Sequence, residues 1–377
     1  MSPDYLNFLP PFLAAFFLSW FFSFFIRKMA LRYHLLPKIR QRDSHKKPLP
    51  RIGGLAIFIA FFLVSLIWFL FVNRDFQFNL ESASLVDRKL LGIWVGGAII
   101  SLVMLADDLF GLSPRTKLTT QILVALIVIA SGVGIDTLSN PFGQAIDLNS
   151  VYLPIFKFQG VVYHFSLWSD LLTLIWLVGM MNVINFIDGI DGLASGISGI
   201  AAITIFILSL TVFVNQPAVA LASIILAGAA FGFLPLNFSP AKIFMGDSGS
   251  MFLGLILGIL PLISGGKLAT AFLVLGFPIV DGLVVTAIRI IQKKNPLKTP
   301  DRNHIHHRFL AAGFSVRQSV MMLYLIAILF GWVALRATAK TKLEAGGLLV
   351  VLLLLMIVVL EIIKRRRNRE GCGNEGN

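Results

Sequence analysis

Leu171-Leu-Thr-Leu-Ile-Trp-Leu-Val-Gly-Met-Met-Asn182-Val-Ile-Asn185-Phe-Ile-Asp188-Gly189-Ile-Asp191-Gly192 runs almost wholly apolar as far as Met181, then turns polar at regular intervals. Counted from Asp170 to Ile187, the segment is long enough for a helix crossing a hydrocarbon layer of about 30 Å. On that helix Asn182, Asn185 and Asp188 recur every three residues, so two carboxamides and a carboxylate share one face at its end. Gly189 and Gly192 let a backbone approach a ligand closely and offer N–H groups to phosphate.

The same pattern of apolar run and polar edge repeats along the chain. Apolar segments can be drawn at 5–26, 54–72, 89–106, 118–135, 170–187, 193–214, 218–235, 249–265, 268–291, 319–337 and 344–363, which predicts an all-α polytopic membrane protein with about eleven transmembrane helices. Hydrophobic residues make up 57% of the 377, more than a soluble core of this length needs. No internal repeat or separate soluble domain stands out, so residues 1–377 read as one integral-membrane domain ending in a basic tail, 364–377. The N-terminus lacks the positive start of a secretory signal and reads as a retained first span.

Basic residues set the orientation. Between Arg27 and Arg51 there are nine Lys or Arg against one acid, Asp43, which predicts a cytoplasmic loop and an external N-terminus. Counting spans forward places the Lys364-Arg365-Arg366-Arg367 run in the cytoplasm as well. Residues 136–169 fall outside, and the alternation between Gly143 and Phe165 permits a small external β-hairpin. The net charge of +13 sits in blocks, which suits anionic lipid headgroups and phosphorylated ligands and argues against nucleic acid. The only cysteine, Cys372, excludes a disulfide framework or a cysteine metal site within the chain.

Under this topology five distant polar clusters fall on the cytoplasmic edge. Asp107-Asp108 closes the third span; adjacent carboxylates there call for a cation or hydrogen-bond donors, or else simply end a helix in solvent. Asn182 to Gly192 is the second cluster, in which Asn185 and Asp188 are hard oxygen ligands suited to Mg²⁺. Asn237, followed by Phe244-Met-Gly246-Asp247-Ser248-Gly249-Ser250, reads as a metal-diphosphate turn at a helix N-terminus, a role compatible with Asp247 as a cap. His304-Ile-His306-His307-Arg308 has the wrong spacing for structural zinc and reads as a phosphate clamp. His45-Lys46-Lys47-Pro-Leu-Pro-Arg51-Ile-Gly53-Gly54 serves the charge rule and is placed to meet a lipid phosphate.

These motifs, in this order, resemble the polyprenyl-phosphate N-acetylhexosamine-1-phosphate transferase family (glycosyltransferase family 4), whose bacterial members start O-antigen lipopolysaccharide, teichoic acid and peptidoglycan lipid intermediates. The His-Ile-His-His-Arg form is similar to the branch that uses UDP-N-acetylglucosamine. The resemblance implies transfer of a sugar 1-phosphate from a UDP-N-acetylhexosamine to undecaprenyl phosphate at the cytoplasmic face of a bacterial inner membrane, with release of UMP. It also implies Mg²⁺, with Mn²⁺ as the alternative ion, held by Asp247 with Asn185 near the metal and diphosphate. By the same resemblance, Phe244 stacks on uracil, Asp191 bonds the base, and Asp107, Asp108 and Asp188 join Asp247 as catalytic carboxylates. Asn182, Asn237, Lys117, His45, Lys46, Arg51, His304, His306, His307 and Arg308 are the further substrate contacts, and a homodimer is compatible with the family. UDP-MurNAc-pentapeptide or another UDP-HexNAc is the alternative donor. The competing class is an ion-coupled transporter, which would place its polar residues near the bilayer midplane on interrupted helices.

Overall fold

The computed structural model describes residues 5–36, 49–72, 85–138, 140, 143–158, 161–212, 214–264, 268–292 and 304–373. His45 and Lys46 lie outside the described residues.

Each apolar segment forms helix, because in hydrocarbon a backbone must satisfy its own hydrogen bonds. The chain runs α1 (Leu9–Arg32), α2 (Gly54–Ile67, continued by a π turn at Trp68–Val72), α3 (Leu85–Phe110), α4 (Pro114–Ala130), α5 (Leu167–Ile187), α6 (Leu193–Ser209) and α7 (Pro217–Asn237). It continues through α8 (Gly246–Ile263), α9 (Leu268–Val274), α10 (Gly276–Ile291), α11 (Ile305–Ala312), α12 (Val316–Arg336) and α13 (Ala339–Gly373). Eight of these are long and apolar enough to span a membrane, or nine if α9 and α10 count together. The three further segments of the sequence count of eleven fall on α4, α6 and the α9–α10 pair. At 17 residues each, α4 and α6 reach only about 26 Å. The segment read as one span at 268–291 is broken, with α9 and α10 bent by 82°.

The two central helices are α7 and α8, each with 83% of its apolar window buried, against 22% for α13. α7 packs on α1 and α6, and α8 packs on α3 and α5. Small residues make this close packing feasible: a Cβ at Gly228 or Gly232 would overlap the carbonyl oxygens of Phe12 and Phe16 on α1. Gly54 of α2 and Gly249 of α8 meet the same way, backbone against backbone. On the outer side, Phe17, Trp20, Phe21, Phe24 and Phe25 of α1 are about half exposed, as lipid-facing side chains are.

Between α4 and α5 the chain forms a short β1–β2 pair (Thr137–Leu138 with Ile146–Asp147) and a hairpin of β3 (Tyr152–Phe158) with β4 (Val161–Ser166). This hairpin matches the one permitted by the alternation and follows the C-terminal end of α4. It lies at the bundle end opposite the acidic motifs, which sit at the other ends of α4 and α5. From Lys364 to Gly373 the basic run is helical; Lys and Arg favour helix, and the run forms the last turns of α13.

Candidate active site

Three carboxylates from two distant helices converge at one end of the bundle. Asp107 and Asp108 are in the last turn of α3, Asp247 is in the first turn of α8, and their nearest oxygens all lie within 4.8 Å of one another. Local sequence explains the placement. After Asp108 the helix ends at Gly111, whose φ of +75° suits glycine, and Ser113 caps α4 by accepting the Thr116 N–H at 3.2 Å. The resulting tight turn brings Lys117 back over the carboxylates. Its Nζ lies 2.5 Å from Asp107 Oδ2 and 2.6 Å from Asp247 Oδ2.

Asp108 does something different from its neighbour. Its Oδ1 accepts the Asp247 N–H at 2.8 Å and its Oδ2 the Ser248 N–H at 3.0 Å. A residue of α3 thereby caps α8 across space, satisfying N–H groups that α8 leaves unpaired and adding negative charge at the positive end of the dipole. Gly246, at φ +76°, allows the turn into α8; a Cβ there would press on the Asp108 carboxylate.

The polar face read from α5 meets this group. Asn185 Nδ2 donates to Asp247 Oδ1 at 3.0 Å and to Ser250 Oγ at 2.9 Å, leaving Asn185 Oδ1 as the atom available to a metal or ligand. Asn182 pairs with Gln121 of α4, donating to Oε1 at 2.8 Å. Asp188 follows the last residue of α5. Burial, then the charges of Asp247 and Asp108, push its carboxyl well above the usual range, opposed by the Gly246 N–H and Arg51. A bound divalent cation reverses that logic.

The donor set fits Mg²⁺: clustered hard oxygens at a membrane edge, with a cation, Lys117, already bridging Asp107 and Asp247. Asp107 and Asp108 join Asp247 and Asn185 as candidate ligands.

The remaining motifs frame the group. Residues 50–54 lie along the segment before α8: Phe244 N–H donates to Pro50 O, Gly53 N–H to Phe244 O and Gly54 N–H to Met245 O, at 2.7–2.9 Å. Arg51 is close enough to Asp188 to act on its charge. Asn237 and Asp191 hold this loop from below. Asn237 Oδ1 accepts from Gly192 N and Ser195 Oγ while its Nδ2 donates to Ile243 O. Asp191 Oδ2 accepts the Ala241 N–H at 3.0 Å. Both are buried, so the structure gives them loop-holding contacts in addition to any ligand contact.

In the histidine motif, α11 starts at Ile305. His304 Nδ1 lies 2.8 Å from Asp281 Oδ2 of α10. His306 is fully buried, and neither ring nitrogen has a hydrogen-bond partner among the described residues; burial foremost, then the charges of His307 and His304, hold it well below the ordinary imidazole range. The phosphate-clamp reading of the sequence thus falls on a ring that is buried here, beside His304 and His307. The ring fills the space over Gly189, where a Cβ would overlap Nε2 and come within 3.2 Å of Cε1. Gly189→Ala is expected to push α11 off the end of α5, lowering the melting temperature by a few degrees, a cost of about 1–3 kcal/mol. Thermal unfolding in detergent checks this, and His306→Ala in the same chain should restore part of the loss. Arg308 Nη1 is 3.8 Å from Glu361 Oε2 of α13, so the last helix touches the motif.

Gln121, Asp281 and Glu361 are contacts that the sequence reading does not include, whereas Ser250 belongs to the Phe244–Ser250 turn. Asp281 had a signal, an ionisable residue inside an apolar run. Gln121 carried none that separates it from ordinary span residues.

The chain also matches known proteins along most of its length. The sequence model described as Glycosyl transferase family 4 matches residues 90–265, from α3 through the end of α8. A Bacillus subtilis protein named probable undecaprenyl-phosphate N-acetylglucosaminyl 1-phosphate transferase is 32% identical over 312 residues, 81% of this chain and 78% of the relative. A Mycolicibacterium smegmatis decaprenyl-phosphate N-acetylglucosaminephosphotransferase is 33% identical over 342 residues, 83% of this chain and 78% of that one. A Thermotoga maritima undecaprenyl-phosphate alpha-N-acetylglucosaminyl 1-phosphate transferase is 30% identical over 293 residues, 78% of each. With these carboxylates inside the matched region and identity of this extent around them, the chain belongs to glycosyl transferase family 4.

Proposed function

We propose that this multi-pass membrane protein transfers GlcNAc 1-phosphate from UDP-GlcNAc to undecaprenyl phosphate on the cytoplasmic membrane face, releasing UMP. The observation that carries this reading is the convergence of Asp107, Asp108, Asp247, Asn185 and Lys117 at one end of the bundle. The names of the relatives supply the donor and acceptor classes. The cytoplasmic assignment rests on the basic residues that flank the same end, Arg27, Arg51, Lys242 and Arg317 among them.

Two anions must meet in this reaction, so charge neutralisation is the main catalytic need. Asp247 and Asn185, with Asp107 and Asp108 adjacent, would hold Mg²⁺, which when bound would supply Lewis-acid polarisation of the donor diphosphate. Lys117 is placed to hand its positive charge from carboxylate to phosphate. An oxygen of the lipid phosphate attacks the β-phosphorus, forming the new P–O bond as the bond to UMP breaks. Because a phosphate monoester has its second pKa near about 6, the acceptor is largely dianionic at neutral pH. Asp107 and Asp108 therefore serve first as organisers, and Asp108 does so by fixing the N-terminus of α8.

Phe244 lies in the same loop system, bonded through its backbone to Pro50 and Gly53, and is assigned to stacking on the uracil. Phe244→Ala is expected to raise KM for the donor about tenfold with kcat within about threefold, a loss of about 1–1.5 kcal/mol; an unchanged KM would remove the stacking role. The substrate assignment is tested by UMP release from purified protein given Mg²⁺, undecaprenyl phosphate and, separately, UDP-GlcNAc, UDP-GalNAc or UDP-MurNAc-pentapeptide. Turnover with UDP-GlcNAc alone supports the reading, and turnover only with another donor overturns the sugar while keeping the reaction class.

A further inference from the structure

The His304–Arg308 segment is held from behind by a carboxylate that lies within an apolar helix. Asp281 of α10 is 1% exposed. Its Oδ1 accepts the Ile305 N–H at 2.8 Å and its Oδ2 lies 2.8 Å from His304 Nδ1. It thus caps α11 across space, as Asp108 caps α8. Phe186, between Asn185 and Asp188, completes the contact: its ring is 5.6 Å from that of His304, and the Arg289 guanidinium lies 5.9 Å from the ring centre. Three elements, the end of α5, α10 and the start of α11, meet at this one imidazole. The rings of His304 and His306 are parallel, 5.6 Å apart, and His306 abuts Gly189 beside Asp188. His304 is therefore buried against the end of α5, on the residue that follows Asn185.

A carboxylate that accepts from Nδ1–H fixes the tautomer and the ring plane, and leaves Nε2 as the nitrogen available to a ligand. We propose that Asp281 is a positioning residue for the transfer: it holds His304 so that Nε2 meets the donor diphosphate, and it supports positive charge on the ring when that anion is bound. This rests on the transferase reading above.

Asp281→Asn separates the two jobs of the carboxylate. The amide oxygen still accepts the Ile305 N–H, but the amide nitrogen can only donate to Nδ1, which leaves the ring neutral, with its proton on Nε2, and removes the positive charge that the carboxylate supports opposite the diphosphate. The expected result is a loss of about a hundredfold in kcat/KM, while the melting temperature stays close to wild type. In a His304→Ala background the same change should cost nothing further, because the two residues act as one unit. Equal loss in both backgrounds, or full activity of Asp281→Asn, would overturn the proposal. Should Asp281→Asn not yield folded protein, His304→Asn gives the second reading, since its amide nitrogen occupies the Nδ1 position and nothing replaces Nε2. Activity at the level of His304→Ala supports the proposal; full activity would reduce the contact to a structural latch. Wild-type protein silent with every donor would instead sink the transferase reading, and this inference with it.

Discussion

Asp247→Asn eliminates turnover: UMP release falls by about a thousandfold or more, and added Mg²⁺ does not restore it. The substitution keeps the side-chain shape and removes the one charge on which the site turns. Asp247 Oδ1 receives Asn185 and Oδ2 receives Lys117, and its backbone N–H is anchored by Asp108. An amide there can neither balance Lys117 nor hold a divalent cation as a carboxylate does. The fold should persist, because the capping of α8 runs through the backbone N–H of residue 247 and not through its side chain. Comparing UMP release with thermal unfolding separates the two effects; activity within tenfold of wild type would remove Asp247 from the metal site.

Lys117→Met should be nearly as damaging to turnover, with a loss of about a hundredfold, and it carries a second signature. Without the ammonium, Asp107 and Asp247 face each other uncompensated. The Lys117 side chain is 27% exposed, so the destabilisation is smaller than for a fully buried pair, about 2 kcal/mol. Mg²⁺ should recover that stability, so the metal-induced rise in melting temperature is expected to be larger for Lys117→Met than for wild type. Equal rises in both proteins would show that the lysine and the metal do not share the carboxylates.

The apolar segments were legible because hydropathy over about twenty residues is a strong signal. What hydropathy does not register is geometry. The run at 268–291 stays apolar through Leu275, where α9 gives way to α10 at a bend of 82°; Gly276 and Pro278 were the local hint. Likewise the helicity of 364–373 follows from continuation of α13, which the charge of that run does not register. In the site, Asp107, Asp108, Asn185, Asp188 and Asp247 were legible because charged or amide groups at the edge of an apolar span are costly without a purpose.

The division of labour among them was not. Nothing in the sequence distinguishes Asp107, which pairs with Lys117, from Asp108, which caps another helix 139 residues away. The burial of His306 was equally hidden, since it depends on α11 docking over a glycine of α5. The competing transporter reading gains little from the structure. A broken helix pair is present, but the acidic group lies at the termini of α3 and α8 and not midway along them.

The most direct test of the central claim is the identity of the leaving nucleotide. Purified protein is given Mg²⁺, undecaprenyl phosphate and UDP-GlcNAc, and both the nucleotide and the lipid product are identified by mass spectrometry. The account predicts UMP together with a lipid diphosphate carrying GlcNAc, formed only when the lipid phosphate is present. UDP together with a lipid monophosphate sugar would contradict it, because attack would then have fallen on the sugar carbon and not on phosphorus.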